Sequence, residues 1–304
     1  MMNILVYTTS PFNFTCGGLV VQYELCRIID SLGFNIRIHA PEKIRNSIFS
    51  KFYNSEFDLN QTIVIYGETI EGNPLNAPHV VRWILAPVGI ACESKLNTWN
   101  NLDLVYFFNS DKLFLNDESK IGKIYKTLTS VYINPIINNY NDPNRKGYCH
   151  TFRKSHYHKI LKYAHPPKHS QEITRSHKFI DCINIFNKRD IFISYDPLTF
   201  LNIMAAMCGC VSVVIKVDDM SEDDWIKTTV VYPYLQANNL NKLYGVAYGL
   251  SEIEWARNTL HLVKQQWIDI LDFLKINTIM PFLKDIENID NISYLENTVK
   301  NNFS

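Results

Sequence analysis

The fold of the second half of the chain is decided by Phe192-Ile-Ser-Tyr-Asp196-Pro-Leu-Thr199-Phe-Leu-Asn-Ile-Met204-Ala-Ala-Met-Cys-Gly209-Cys-Val-Ser-Val-Val214. This pattern predicts a strand, a tight turn, a helix, a glycine and a second buried strand. Asp196 stands where the strand turns into the helix, and the backbone N–H groups that begin a helix suit a phosphate. An ordinary βαβ unit with Pro197 in its first helical turn explains the same pattern without a ligand.

The first half of the chain opens in a related way. Residues 3–9 form a short apolar run rich in β-branched residues, which is typical of a buried parallel strand. A loop containing Gly17 and Gly18 follows, then apolar residues at helical spacing, Gly33 as the helix end, and a second strand over 34–40. This order is a Rossmann-type opening, but the full G-x-G-x-x-G is missing, so a dinucleotide site is not supported.

The remaining elements divide the chain into two α/β domains, 1–140 and 141–304. The polar, turn-rich stretch 137–147 is interpreted as the linker, and the α/β alternation starts again after it. Ser251-Glu-Ile-Glu254 resembles a capping box that begins a long helix. We predict further strands at 62–66, 80–85, 104–108, 129–133, 148–152 and 190–194, and helices at 156–164, 178–186, 239–248 and 251–274.

Composition narrows the possible functions. The chain has 304 residues with 30 Lys+Arg and 30 Asp+Glu, so its formal net charge is zero, and no basic run with interleaved aromatics predicts nucleic-acid binding. The seven cysteines and the histidines between 150 and 177 lack metal-ligand spacing, so no metal site is predicted. Asp218-Asp219 is interpreted as a solvated loop. We expect no signal peptide, no transmembrane segment and a cytoplasmic location.

A third segment connects these observations to a known family. Residues 65–85 contain Tyr-x-Glu, then Gly-Asn-Pro-Leu, then Val-Val-Arg-Trp. This pattern resembles the acceptor-domain segment of glycosyltransferases with two Rossmann-like domains, the GT-B type that builds surface polysaccharides. The Gly17-Gly18 loop is similar to the glycine pair after the first strand of that superfamily, and the turn at Asp196 is similar to its donor-site turn.

The resemblance implies two facing Rossmann-like domains, an N-terminal acceptor domain and a C-terminal nucleotide-sugar domain followed by helices. Such an enzyme moves a sugar from a nucleotide-sugar to a hydroxyl of a glycan or similar acceptor, with no cofactor and no metal. The implied donor-binding residues are Gly17, Gly18, Arg153, Lys154, Tyr195 and Thr199. Asp196 is the implied catalytic group on the donor side, and Glu68 is the candidate general base of an inverting reaction.

The sequence departs from that family at three positions, and at one of them Thr199 stands where the family has the glycine of the phosphate turn. Many retaining members carry two glutamates with seven residues between them; here Asp196 and Met204 occupy those positions, and Met204 cannot accept a hydrogen bond from a ribose hydroxyl. Two other functions therefore remain: a nucleotide-sugar 2-epimerase on the same fold, and a non-catalytic module that binds nucleotide-sugars or glycans. The donor, the acceptor and the oligomeric state are left open.

Overall fold

The computed structural model describes residues 3–12, 16–41, 49–53, 58–89, 93–109, 126–152, 166–216 and 220–289. The chain divides into two compact units. Unit 1 comprises residues 1–132 and 271–304, and unit 2 comprises residues 133–270. The predicted domains had their boundary at 140 and assigned the whole C-terminal stretch to the second domain. In the structure the chain instead returns to unit 1 at Leu271.

Unit 1 contains a six-stranded parallel sheet in the order β2-β1-β3-β4-β5-β6. A single parallel bridge from Ile38 to Tyr53 extends the sheet beyond β2. Its strands are β1 Asn3–Tyr7, β2 Ile36–His39, β3 Thr62–Gly67, β4 His79–Ile84, β5 Leu104–Phe107 and β6 Lys126–Thr127. Most strand residues are buried aliphatic or aromatic side chains, as expected for strands covered on both faces.

One face of this sheet packs against helix α1, Gly17–Ser31, and the C-terminal helix of the chain. Leu25 and Ile29 from α1 share a core with Phe282 and Ile286 from that helix and with strand residues such as Trp83. Thr278, just before that helix, joins it to the segment that follows β6, since its hydroxyl accepts from the Thr129 N–H at 3.1 Å. These contacts explain why the C-terminal stretch belongs to unit 1.

Unit 2 contains a five-stranded parallel sheet in the order β11-β10-β9-β7-β8. Its strands are β7 Tyr148–Thr151, β8 Gln171–Glu172, β9 Ile191–Ser194, β10 Val211–Val214 and β11 Val246–Tyr248. The helices of unit 2 are α2 Phe179–Lys188, α3 Leu201–Met207, α4 Glu222–Lys227, α5 Tyr232–Ala237 and α6 Ile253–Thr259. Helices α2 and α3 pack on one face of this sheet and α6 packs on the other.

A nearly continuous helical run crosses from unit 2 into unit 1. It consists of α7 Val263–Leu274, a π-helical turn at Lys275–Ile279 and α8 Met280–Glu287. None of the helices that the structure describes is long and apolar enough to cross a membrane. The two parallel α/β sheets and the helical C-terminal stretch confirm the coarse fold prediction.

Three local predictions were wrong. The predicted helix 239–248 contains strand β11, because Gly245 and Gly249 have φ of +73° and +91° and interrupt any helix there. The predicted strand 129–133 is irregular backbone, and the edge strand β6 lies just before it. The capping box at Ser251 does not form: the segment is a 3₁₀ turn, and the Glu252 carboxylate accepts from the Tyr248 N–H at 3.1 Å. The predicted helix 156–164 lies outside the described residues.

Candidate functional site

The sheet order of unit 1 places a crevice between β1 and β3. The chain leaves β1 toward one edge of the sheet and leaves β3 toward the other. In open parallel sheets such a reversal leaves a gap beyond the carboxyl ends of the two strands, and ligands bind there. The start of α1 and the residues just after β3 lie at this end, so Gly17, Gly18 and Glu68 are brought to the same edge of the sheet.

Glu68 is the titratable residue directly after β3. It is half-buried, and its Oε2 accepts a hydrogen bond from the backbone N–H of Leu85 at 3.0 Å. Burial raises the pKa of Glu68 above its usual value, and the hydrogen bond from Leu85 opposes that shift in part. Glu68 is therefore a held carboxyl group whose affinity for a proton is higher than that of a surface glutamate.

Gly17 and Gly18 form the first two residues of α1, and the fold does not require glycine at either position. Neither has a positive φ. A Cβ at Gly17 would meet nothing within 4 Å, and a Cβ at Gly18 would meet only Leu85 Cδ1, at 3.6 Å. The N-cap residue Cys16 makes no capping hydrogen bond, and the first turn carries no acidic side chain. The bare backbone N–H groups at this helix start can therefore be approached closely by a ligand.

Side-chain hydrogen bonds hold the segment after Glu68, which explains the Gly-Asn-Pro-Leu pattern in the sequence. Tyr66 Oη donates to Asn73 Oδ1 at 2.9 Å and accepts from the Leu75 N–H at 3.2 Å. Asn73 closes its own loop, with Nδ2 donating to the Ala77 carbonyl at 2.8 Å. The pattern therefore stabilises a turn that follows the candidate base.

Arg82 also stabilises the segment after Glu68. It is buried between the rings of Tyr66 and Trp99, each centred 5.0 Å from its guanidinium carbon. Arg82 Nε donates to Asp103 Oδ2 at 2.7 Å, and Nη2 donates to the Gly72 carbonyl at 2.6 Å. This buried ion pair and the two flanking rings give Arg82 a structural role.

Unit 2 has its own reversal of strand order, between β7 and β9, and Asp196 follows β9 there. The Asp196 side chain is 1% exposed, and its Oδ1 accepts from the Leu198 N–H at 3.2 Å. Ser194 Oγ donates to the Asp196 carbonyl at 2.7 Å, and Trp225 Nε1 donates to the Pro197 carbonyl at 3.1 Å. Asp196 thus shapes a braced turn from inside, whereas the resemblance implied contact with the donor sugar.

Tyr195 and Thr199 were also predicted to bind the donor, and the structure shows the surroundings of each. Tyr195 is fully buried in the apolar cluster beneath α6, with its ring 4.7 Å from that of Phe152. It therefore lies in the core, away from solvent. Thr199 is half-buried, and its hydroxyl is 3.4 Å from the Leu201 N–H that it caps. Arg153 and Lys154 lie outside the described residues.

Met204 also lies in the core. Its side chain is 2% exposed and packs in the cluster that includes Leu201 and Cys208. Gly209 ends α3 with φ +80°, and a Cβ there would lie 2.5 Å from Asn139 Nδ2, so glycine is required by the fold at this position. Met204 is therefore a packing residue at the position where members of the resembling family carry a ligand-binding glutamate.

Sequence reasoning missed Gln22, Arg82 and Trp225. Gln22 lies one helical turn after Gly18, and that i, i+4 spacing on the α1 pattern was the one sign of its position.

Within the described residues, no group of three or more His, Cys, Asp and Glu side chains could hold a metal ion. Comparison with protein-family models found no match to this chain, and comparison with curated proteins found no significant match.

Proposed function

We propose that this chain is a glycosyltransferase that moves a sugar from a nucleotide-sugar to a hydroxyl of a glycan or similar acceptor. The observation that carries the proposal is the pairing, at one sheet edge, of a glycine-lined helix start with a held carboxyl group. Gly17 and Gly18 have ordinary helical backbone and open space around them, while Glu68 follows the neighbouring strand β3. A phosphate fits the first feature, and a reacting hydroxyl fits the second.

In this proposal Glu68 is the general base of the reaction. It takes the proton of the acceptor hydroxyl, and the oxygen forms a bond to the anomeric carbon of the donor sugar. The bond between that carbon and the diphosphate oxygen breaks at the same time, and the nucleoside diphosphate leaves with the electron pair. A base works best when its pKa is close to the working pH, and burial shifts the pKa of Glu68 in that direction.

The donor diphosphate would be held by N–H groups of Gly17 and Gly18, by Arg153 and Lys154, and by Thr199. Two cations and bare N–H groups can offset the charge that develops on a leaving diphosphate without a metal ion. Asp196 contributes by fixing the turn before Thr199, because its carboxylate and its carbonyl are both bonded within that turn.

A product assay tests the proposal. Wild-type protein is incubated with nucleotide-sugars, with and without an oligosaccharide acceptor, and the products are separated. Free nucleoside diphosphate and a lengthened glycan support a transferase, whereas an epimerised donor in the absence of acceptor indicates a 2-epimerase. Glu68→Gln and the double variant Arg153→Ala/Lys154→Ala should abolish transfer while remaining folded. Full activity in the double variant would disprove the assignment of the diphosphate site.

A non-catalytic module that binds nucleotide-sugars or glycans is the second candidate. The burial of Met204 and Asp196 favours it, because Met204 packs in the core and the Asp196 carboxylate accepts a hydrogen bond within its own turn. Tight binding of a nucleotide-sugar without any hydrolysis or transfer would support this function in place of the transferase.

A further inference from the structure

Helix α1 brings a third polar group to the crevice of unit 1. Gly18 and Gln22 are four residues apart, so they lie on the same face of α1. The position of a Cβ on Gly18 is 3.6 Å from Leu85 Cδ1, and the position of a Cβ on Gly67 is 3.6 Å from Gln22 Nε2. Gln22 therefore lies over the carboxyl end of β3, beside the residue that precedes Glu68.

The Gln22 side chain is mostly buried, and its amide group is unpaired within the described residues. The residue is 6% exposed, yet no hydrogen bond joins its side chain to any other part of the chain that the structure describes. Its amide atoms are not among the buried polar atoms that lack a partner, so they keep contact with solvent and can be reached by a ligand. Because Gly67 has no side chain, the Gln22 amide is not covered where it faces Gly67.

We propose that Gln22 binds a hydroxyl-bearing ring of the acceptor, a neutral sugar, beside the hydroxyl that Glu68 deprotonates. This inference rests on the proposed function and adds the acceptor subsite to it. An uncharged amide can accept from one sugar hydroxyl and donate to its neighbour, whereas it contributes no charge toward a phosphate. The helix start at Gly17 and Gly18 suits the anionic donor, so the two ligand classes would occupy adjacent places along α1.

Side-chain amide signals in nuclear magnetic resonance spectra test this directly. The Gln22 NH₂ pair is assigned by its loss in Gln22→Glu, and the protein is titrated with methyl α- and β-glycosides of glucose, galactose, mannose and N-acetylglucosamine. Inorganic pyrophosphate is titrated separately. We expect at least one glycoside to shift the Gln22 signals, and pyrophosphate to shift the backbone signals of Gly17 and Gly18 while leaving Gln22 unchanged.

Three variants sharpen the result. Gln22→Leu should weaken the glycoside affinity about tenfold, as expected for one or two lost neutral hydrogen bonds. Gly67→Ala should weaken it too, because the new methyl group fits at 3.6 Å from Gln22 Nε2 and covers the amide without disturbing the strand. Gln265→Leu, on α7 of unit 2, is the matched control and should leave the affinity unchanged. Gly67→Ala keeps the test valid if Gln22→Leu does not fold.

The possible failures can be told apart. Glycosides that leave the Gln22 signals unmoved overturn the inference, as does a shift of those signals by pyrophosphate alone. Unchanged glycoside affinity in both Gln22→Leu and Gly67→Ala also overturns it. If the glycosides shift Gln22 but no nucleotide-sugar is bound or consumed, the sugar subsite is supported and the transferase proposal fails.

Discussion

The Glu68 carboxylate is held by the backbone just after the neighbouring strand β4, with its Oε2 3.0 Å from the amide nitrogen of Leu85. This bond joins the residue after β3 to the residue after β4, the two strands that follow the reversal of strand order. A glutamate at the end of a strand would otherwise choose among several rotamers. The Leu85 N–H selects one and keeps the carboxyl group at the crevice.

Glu68→Gln should raise the stability of the protein at neutral pH while abolishing transfer. The amide oxygen of glutamine can still accept from Leu85, and the cost of burying a charge is removed. Because the folded-state pKa of Glu68 is raised, the folded protein binds the Glu68 proton more tightly than the unfolded chain, so this group's contribution to stability falls as pH rises. The difference between variant and wild type should therefore shrink below pH 4.5.

Urea unfolding of both proteins across this pH range measures the effect. Glu71→Gln is the control, since Glu71 has an exposed side chain on the same segment. A variant that is less stable than wild type at neutral pH, by an amount that does not change with pH, would show that the Glu68 carboxylate is a structural group.

Alanine at Gly17 and Gly18 should stabilise the fold and weaken nucleotide-sugar binding. Both positions have helical backbone and space for a methyl group, so each substitution should add up to about 1 kcal/mol to the free energy of unfolding. The methyl groups would cover the N–H groups that the proposal assigns to the diphosphate. Thermal unfolding with and without ligand measures both effects, and undiminished ligand binding in Gly17→Ala/Gly18→Ala would contradict the assignment.

Gly209→Ala provides the opposite case for comparison. Gly209 has φ +80°, and its Cβ would lie 2.5 Å from Asn139 Nδ2. Alanine there should lower the free energy of unfolding by more than about 1 kcal/mol, because strain is added to a clash. The same thermal unfolding measurement should move the midpoint down for this variant and up for the α1 variants.

Arg82→Met should destabilise the protein strongly. Removing one member of a buried ion pair leaves Asp103 without its cation, which costs about 3–5 kcal/mol. The Gly72 carbonyl would lose its hydrogen bond as well. Arg82→Met/Asp103→Leu should recover part of the loss, since no buried charge remains, and a urea-based double-mutant cycle gives the coupling. Strictly additive effects would mean that the two groups do not interact.

Trp225→Phe should loosen the turn at Asp196. The phenyl ring can keep the stacking of Trp225 on Tyr248, whose centroids are 5.1 Å apart, but it cannot donate to the Pro197 carbonyl. We expect a loss of about 1 kcal/mol in the free energy of unfolding and weaker donor binding. Tyr248→Phe keeps the stacking and the turn and serves as control. Equal donor affinity in Trp225→Phe and Tyr248→Phe would show that the turn at Asp196 does not contribute to donor binding.

The strands were the most predictable part of the fold. Runs such as Ile63-Val-Ile-Tyr66 and Phe192-Ile-Ser194 are apolar because parallel strands are buried on both faces, and their bounds agree within a residue or two. Strand β11 was missed because three residues are too few to show a period, and its position depends on pairing with β10. That pairing is a tertiary contact, which a local sequence pattern cannot predict.

The candidate site was only partly predictable, for a related reason. A sequence shows where a polar residue stands, but its partners determine what it does. The resemblance implies that Asp196 acts on the donor, whereas in the structure its carboxylate accepts from the Leu198 N–H within its own turn. Gln22 was read as part of an amphipathic helix, and its burial over Gly67 became visible only when α1 was packed against β3.

Thermal unfolding with UDP, GDP, ADP, dTDP and CMP, each alone and carrying common sugars, tests the central claim most directly. A ligand present at about 100 times its dissociation constant should stabilise the folded protein by roughly 2.7 kcal/mol. The proposal predicts a rise of several degrees with the nucleotides of one base, and a smaller rise in Gly17→Ala/Gly18→Ala. No rise with any of these nucleotides or nucleotide-sugars would contradict a nucleotide-sugar site in this chain.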